Sequence, residues 1–316
     1  MAGGLRERSV AIRRYGITYR GGIYLKKNKT MIVVFLTPAV LLFLGIFLYP
    51  IIRTVIMSFF KIDGVTDSMD LWKFVGFGNY TKLMSTSLFK TSFFNLFRIW
   101  LIGGLVVMSL SLLFAVILTS GIRGKKFFRA IIYMPNIVSA VALATMWLQY
   151  VYSPRYGLLK DLFTALHLDN LAKIQFLDND HKFWALLFAY CFGMVGYHML
   201  IWLSGIERIS PEYYEAAKVD GANAFQRFFK ITLPSLSNVM FFCFITLTAD
   251  SWKIFNEPFM LQGPGTSNVS LFQYMYESGF NVFKLGYASS IGCMLTLILL
   301  IVSVIQFIIR MKQGEV

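Results

Sequence analysis

Charge is scarce in this 316-residue chain: Asp, Glu, Lys and Arg together make up 15% of it, where soluble domains carry about 25%. That poverty excludes an ordinary water-soluble domain as the main body. Cysteine is scarcer still. Cys191, Cys243 and Cys293 all fall in apolar runs, so neither a disulfide framework nor a zinc cluster is expected. His167, His181 and His198 do not stand at metal-ligand spacing. No G-x-x-x-x-G-K-[ST] loop occurs. The stretch "GIRGKKF" from Gly121 has a Gly-Lys pair without the preceding spacing, and no strand leads into it. The chain is therefore not expected to hydrolyse a nucleotide itself or to hold a cofactor. Low-complexity tracts, clear internal repeats and a sizeable soluble domain are also missing. The first apolar run is too long for a secretory leader and has no small-x-small site after it, so it reads as a retained span.

What is present is apolar. The chain is 57% hydrophobic, with 31 Phe and a mean hydropathy of +0.62. Charge-free runs cover Thr30–Ile52, Ile99–Ile122, Ala130–Pro154, Phe183–Ile206, Ile231–Ala249 and Leu285–Ile309. At a rise of about 1.5 Å per residue, each crosses a hydrocarbon core of roughly 30 Å. The expected fold class is an all-α integral membrane protein with six transmembrane helices.

Orientation follows from the basic residues. The segment before the first run, the second and fourth loops and the tail hold 18 of the 30 Lys and Arg but only 6 of the 16 acids. Both termini are thus expected in the cytoplasm. The basic pI of about 9.7 is then topological and calls for no nucleic-acid partner. The expected organisation is a basic arm at 1–29, a six-helix transmembrane domain at 30–312 with a polar loop at 207–234, and a short tail at 313–316. The arm is expected on the membrane surface. An interfacial helix is expected at "GLLKDLFTALHL" from Gly157, where Leu158, Leu159, Leu162, Phe163 and Leu166 recur at helical spacing. "LQGPGTSN" from Leu261 marks a turn. Ala189/Gly193 and Gly286, Ala288, Ser290 and Gly292 are small enough for close helix approach. Arg98 can snorkel from the outer end of the second span.

The polar loop contains "YYEAAKVDGANAFQRFFKITLP", from Tyr213 to Pro234. Ser210 can cap a helix, Pro211 suits its first position, and Glu212 and Glu215 complement its positive end. Gly221 can take the left-handed conformation that ends it. A second helix is expected from Asn223, with Phe225, Phe228 and Phe229 on one face, until Pro234 breaks it. The product is a compact elbow whose Ala216 and Ala217 leave room for another protein. An interfacial hairpin without a partner fits these residues equally well.

Glu215-Ala216-Ala217, Gly221 four residues on, and then Ile231-x-Leu233-Pro234 resemble the EAA loop of ABC importer permeases. "FVGFGNYTKL" at 74–83, "RGKKFFRAIIYMPNIVSAVALATMWLQYVY" at 123–152 and "LGYASSIG" at 285–292 are similar to the maltose-type sugar branch. The resemblance runs from about Thr30 to Lys312. It implies a type I permease subunit in the bacterial cytoplasmic membrane, importing a carbohydrate such as an oligosaccharide. It also implies a second, different permease subunit, two cytoplasmic ATPases that carry the ATP and Mg, and an external solute-binding protein. By the same resemblance, Glu215, Ala216, Ala217 and Gly221 would form the coupling helix seated in an ATPase cleft. The family's Gly-Gly-Pro turn reads Gln262-Gly263-Pro264 here.

A pathway is sought among ionisable groups inside spans, which are costly there. On a continuous fifth helix, Thr246, Asp250, Lys253 and Glu257 would form one polar stripe flanked by Asn256. Gln149 and Tyr150 on the third span are further candidates, with Trp252 and Tyr274 as aromatic faces for a sugar. The alternative is an Asp250–Lys253 pair that only neutralises itself. Two other function classes stand beside the importer. One is an ion-coupled secondary transporter using Asp250, Lys253 and Glu257, disfavoured by the absence of inverted repeats. The other is an intramembrane enzyme, for which no metal motif or nucleophile set is visible.

Overall fold

The computed structural model describes residues 29–64, 69–261 and 265–312. The basic arm up to residue 28, the Gln262-Gly263-Pro264 turn and the tail at 313–316 lie outside the described residues. The chain divides into two compact units, Met1–Arg53 and Thr54–Val316, and the described residues are mostly helical.

Helix α1, Met31–Met57, is long and apolar enough to cross a membrane, as are α3 (Ser87–Thr119), α8 (Lys182–Ile206) and α14 (Leu285–Lys312). Two further helix pairs qualify only jointly. Lys125–Asn136 (α4) and Ala140–Val151 (α5) meet at 94°, and Ala224–Ser235 (α10) meets the segment Ser237–Met260 at 67°. The third apolar run is therefore bent where an uninterrupted helix was expected, and the fifth is bent just after Pro234, where a break was expected.

Both bends have local causes. Pro135 sits in a 3₁₀ turn, Met134–Asn136, that closes α4. The Asn136 side-chain amide then donates to the Gly193 carbonyl at 2.6 Å, fixing the corner against α8. A Cβ on Gly196 would stand 2.2 Å from the Ile132 carbonyl oxygen, so the two backbones meet because this residue has no side chain. The second bend falls at Leu236, two residues after Pro234. A π-helical stretch at Phe228–Thr232 leads into Pro234, whose ring and missing N–H interrupt the helical ladder.

In the second unit, Phe60–Lys61 (β1) and Lys73–Phe74 (β2) pair antiparallel, followed by α2 (Gly78–Ser85). A helix at Leu158–Ala165 (α6) stands where the interfacial helix was expected, followed by a single turn at Asp169–Ala172 (α7). The core forms mainly where α3 lies along α8. Leu96, Ile99, Leu186, Leu247 and Ile291 are fully buried in one cluster, and Met199, Trp202 and Leu236 anchor a second. Among the expected close approaches, Gly286 is the tightest: a Cβ there would meet the Phe60 carbonyl oxygen at 1.9 Å. Gly193 has open space around it, so packing does not demand glycine there. Arg98 extends over the Phe183 ring, 5.9 Å from its centre.

The segment after the fifth span is latched into the bundle. Lys182, wholly buried, donates through Nζ to the Gly265 carbonyl at 2.8 Å. Asn95 donates to the carbonyls of Thr266 and Val269, both at 3.0 Å, and Ser267 to that of Asn179 at 2.9 Å.

Candidate functional site: an elbow and a polar cluster

Helix α9, Pro211–Val219, begins with Pro211 at its first position. Ser210 precedes it with extended backbone but makes no side-chain cap, contrary to expectation. At the other end Gly221 takes φ +77, its N–H donates to the Lys218 carbonyl at 3.1 Å, and the Ala222 N–H donates to that of Ala217 at 2.8 Å. These two bonds with a left-handed glycine constitute a Schellman motif, which satisfies carbonyls that a helix end leaves open. One residue later Asn223 accepts from the Gln226 N–H at 2.8 Å, while the Gln226 side chain accepts from the Asn223 N–H at 2.9 Å. That capping box opens α10. The stop of one helix and the start of the next are thus specified residue by residue, which makes the corner stiff.

The elbow is also tied to its mount. Tyr214 and Thr232 share a hydroxyl hydrogen bond of 2.9 Å between α9 and α10. Near the end of α8, a Cβ on Gly205 would lie 2.7 Å from Val239 and 2.8 Å from Leu236, so the elements on either side of the elbow touch directly. Its outer face is apolar and open: Val219 is 88% exposed, and Tyr213 and Phe225 are exposed with it. Phe225, Phe228 and Phe229 form the expected aromatic group, with Phe225 and Phe229 ring centres 4.5 Å apart. Glu215, Lys218, Arg227 and Lys125 line a cavity of about 660 Å³ beneath the corner.

The expected polar stripe is broken. Helix α11, Ser237–Trp252, stops before Lys253, and a new short helix, α12, runs Asn256–Met260. Pro258 explains the break. A continuous helix would bury it in the interior, where it lacks a donor and clashes with the preceding turn, whereas the restart puts it in the first turn of α12. Thr246 spends its hydroxyl on the Phe242 and Cys243 carbonyls, both at 3.0 Å. Asp250 and Lys253 stand 3.7 Å apart as a partly exposed pair.

The fold nevertheless brings Asp250 and Glu257 to one place. Helix α11, which carries Asp250, and α12, which carries Glu257, both pack against α8, where the Tyr190 side chain is buried and its hydroxyl lacks a hydrogen-bond partner of normal geometry. Further along α8 stand Tyr197 and the buried His198, whose Nδ1 lies 3.1 Å from the Met194 carbonyl and whose Nε2 is buried without a hydrogen-bond partner among the described residues. Tyr190, Tyr197 and His198 were missed in the sequence because α8 reads as a charge-free apolar run. Their recurrence about two helical turns apart was the available signal.

Other sequence candidates fall elsewhere. Gln149 and Tyr150 are exposed near the end of α5 and make no hydrogen bond to this cluster. Trp252 is buried against Phe93, with ring centres 5.5 Å apart, and presents no open face. Tyr274, on the short helix Leu271–Tyr276 (α13), is buried and shares a 2.8 Å hydroxyl contact with Tyr287. Neither aromatic thus has the open ring face expected of a sugar platform.

Residues 108–313, which contain the elbow and the cluster, match the family described as "Binding-protein-dependent transport system inner membrane component". The chain belongs to that family. It is a multi-pass membrane transport component. A probable ABC transporter permease protein, PH1215 of Pyrococcus horikoshii, is 33% identical over 90% of this chain and 96% of its own length. The arabinooligosaccharides transport system permease protein AraP of Bacillus subtilis is 30% identical over 86% of each. Among solved structures, a chain of a bacterial alginate ABC transporter, in complex with an alginate pentasaccharide-bound periplasmic protein, superposes with a TM-score of 0.77. That match covers 92% of this chain and 96% of the other at 20% identity, and establishes a shared fold.

Proposed function

We propose that this chain is the membrane-spanning permease subunit of an ABC importer for an oligosaccharide, working in the bacterial cytoplasmic membrane with both termini inside. In this reading it crosses the membrane six times, each bent pair counting as one crossing. The elbow formed by α9 and the start of α10 enters a cleft of a cytoplasmic ATPase, with Glu215, Ala216, Ala217 and Gly221 as the coupling residues. A second permease subunit completes the pathway, two ATPases carry the ATP and Mg, and an external solute-binding protein delivers the sugar.

The observation that carries this reading is the stiffness of the corner together with its mount. Force transmission needs an element that moves as one body, and a Schellman motif joined to a capping box ties the end of α9 at Ala217 and Lys218 to the start of α10 at Asn223 and Gln226 through four hydrogen bonds. The close packing at Gly205 passes displacement of the elbow to α8 and α11, which carry Tyr190 and Asp250. The exposed apolar crown at Tyr213, Val219 and Phe225 is the kind of surface a protein partner covers. Asp250, Glu257, Tyr190, Tyr197 and His198 offer acceptors, donors and aromatic edges suited to a hydroxyl-rich ligand, with Thr246, Lys253 and Asn256 around them. Gln149 and Tyr150 would meet substrate only at the rim. The oligosaccharide class is supported by the named cargo of AraP.

Mild-detergent affinity purification of the full chain from its host tests the proposal. An ATPase and a second permease should co-elute, and the purified assembly should import sugar into vesicles only when given ATP. Import driven by an ion gradient with the chain alone would sink it in favour of secondary transport.

A further inference from the structure

We propose that a lysine-lined cavity between β1 and the start of α14 binds the phosphate of an anionic phospholipid headgroup. The cavity measures about 610 Å³ and is walled by Lys61, Lys82, Lys284 and Asp63, with Val75 and Phe283 among its apolar neighbours. Three cations from three separate segments thus face a space with one acid among the described residues. That acid is engaged: Asp63 pairs with Lys61 at 3.1 Å. Lys82 rests over the Tyr287 ring, 5.5 Å from its centre, and neither it nor Lys284 has a carboxylate within ion-pair distance among the described residues.

The cations are held by backbone. Asp63 forms a β-bridge with Lys284, and the Gly64 N–H donates to the Phe283 carbonyl at 2.9 Å. Phe283 takes φ +55, a left-handed conformation uncommon for a side-chain-bearing residue. The Lys284 N–H donates to the Ser278 carbonyl at 2.9 Å, and buried Asn79 donates to the carbonyls of Ser58 and Phe60 at 2.8 and 2.9 Å, fastening α2 to β1. A cavity kept open by paired backbone is a built site.

Depth identifies the ligand. Lys61 follows shortly after the apolar helix that ends at Met57, and Lys284 immediately precedes α14. Both therefore sit where an apolar span meets water, at headgroup level. Phe74, Phe77 and Phe280, exposed on the neighbouring segments, add apolar surface beside the lysines. A lipid uses the lysines for its phosphate and the apolar rim for its chains, whereas a free anion uses only the lysines. The inference needs only that these spans cross a bilayer, and holds whatever the chain transports.

Native mass spectrometry of the purified full-length protein tests it, with phosphatidylglycerol or phosphatidylcholine added in turn and no sugar or nucleotide present. One phosphatidylglycerol should stay bound per chain, roughly tenfold more tightly than phosphatidylcholine. Lys82→Gln with Lys284→Gln should abolish that preference, and Lys82→Arg with Lys284→Arg should keep it, which separates lost charge from lost folding. Equal retention of both lipids, an unchanged preference in the Gln variant, or displacement of the lipid by inorganic phosphate alone would overturn the assignment.

Discussion

The amide of Ala222 donates to the carbonyl of Ala217, so the last residue of the Glu-Ala-Ala triplet and the residue after Gly221 close one loop of backbone at 2.8 Å. The bond exists only because Gly221 sits at φ +77, and nothing lies within 4 Å of where its Cβ would be. Substitution there is therefore a pure backbone test. Gly221→Ala should cost about 1–2 kcal/mol at the corner. Gly221→Asn, which tolerates the left-handed region, should cost less. Gly221→Pro cannot reach that φ and loses the donor to Lys218, so it should insert into the membrane normally yet lose ATP-driven uptake. Uptake normalised to membrane-inserted protein gives the ranking.

Gly196 and Gly193 make a matched pair on α8. A Cβ at Gly196 would meet the Ile132 carbonyl at 2.2 Å, a backbone atom that cannot swing away, while one at Gly193 meets nothing. Gly196→Ala should lower stability by at least the ~1–3 kcal/mol of an overpacked core. Gly193→Ala should be neutral or slightly stabilising. Thermal melting of the two purified variants in the same detergent decides the matter.

At the polar cluster, Tyr190→Phe removes a buried hydroxyl that has no partner of normal geometry. Loss of an unpaired buried polar group should not destabilise the protein and can add about 1 kcal/mol. If the cluster meets sugar, the same change should raise the KM for uptake. Asp250→Asn should likewise change substrate affinity with unaltered amounts of assembled protein. A purely structural Asp250–Lys253 pair would instead lower those amounts.

Asp178 supplies a pH handle outside the spans. The His181 N–H donates to its carboxylate at 2.8 Å, the His181 ring lies at 2.8 Å and the Asp180 N–H at 3.1 Å. These bonds, led by the His181 amide, hold the carboxyl below its ordinary value of 3.8. A carboxylate depressed in the folded state stabilises it fully above the ordinary pKa, and that contribution disappears as pH falls through the lower folded value. Melting temperature should fall on acidification through that window more steeply for the wild type than for Asp178→Asn.

Much of this architecture was readable before any coordinates. Apolar run length marked the helices, and the left-handed glycine and the Asn223 start of the elbow followed from residue chemistry alone. The bends were not readable from run length, because hydropathy does not register a corner. Pro135 and Asn136 carried that signal, and Pro258 carried the one that breaks the stripe after Trp252. Tyr190, Tyr197 and His198 escaped because their role depends on α11 lying beside α8, and a single sequence does not say which helices are neighbours. The cavity at Lys61, Lys82 and Lys284 was hidden for the same reason.

The central claim is that the elbow faces the cell interior and is covered by an ATPase. Val219 is 88% exposed, the native Cys191 and Cys243 are buried, and the half-buried Cys293 can be replaced by Ser, so a Val219→Cys probe in that Cys293→Ser background stands out. A membrane-impermeant thiol reagent should label it in inside-out vesicles stripped of the ATPase, not in right-side-out ones, and adding the co-purifying ATPase back should block the reaction. Labelling from the outer surface, or labelling indifferent to the ATPase, would contradict the account.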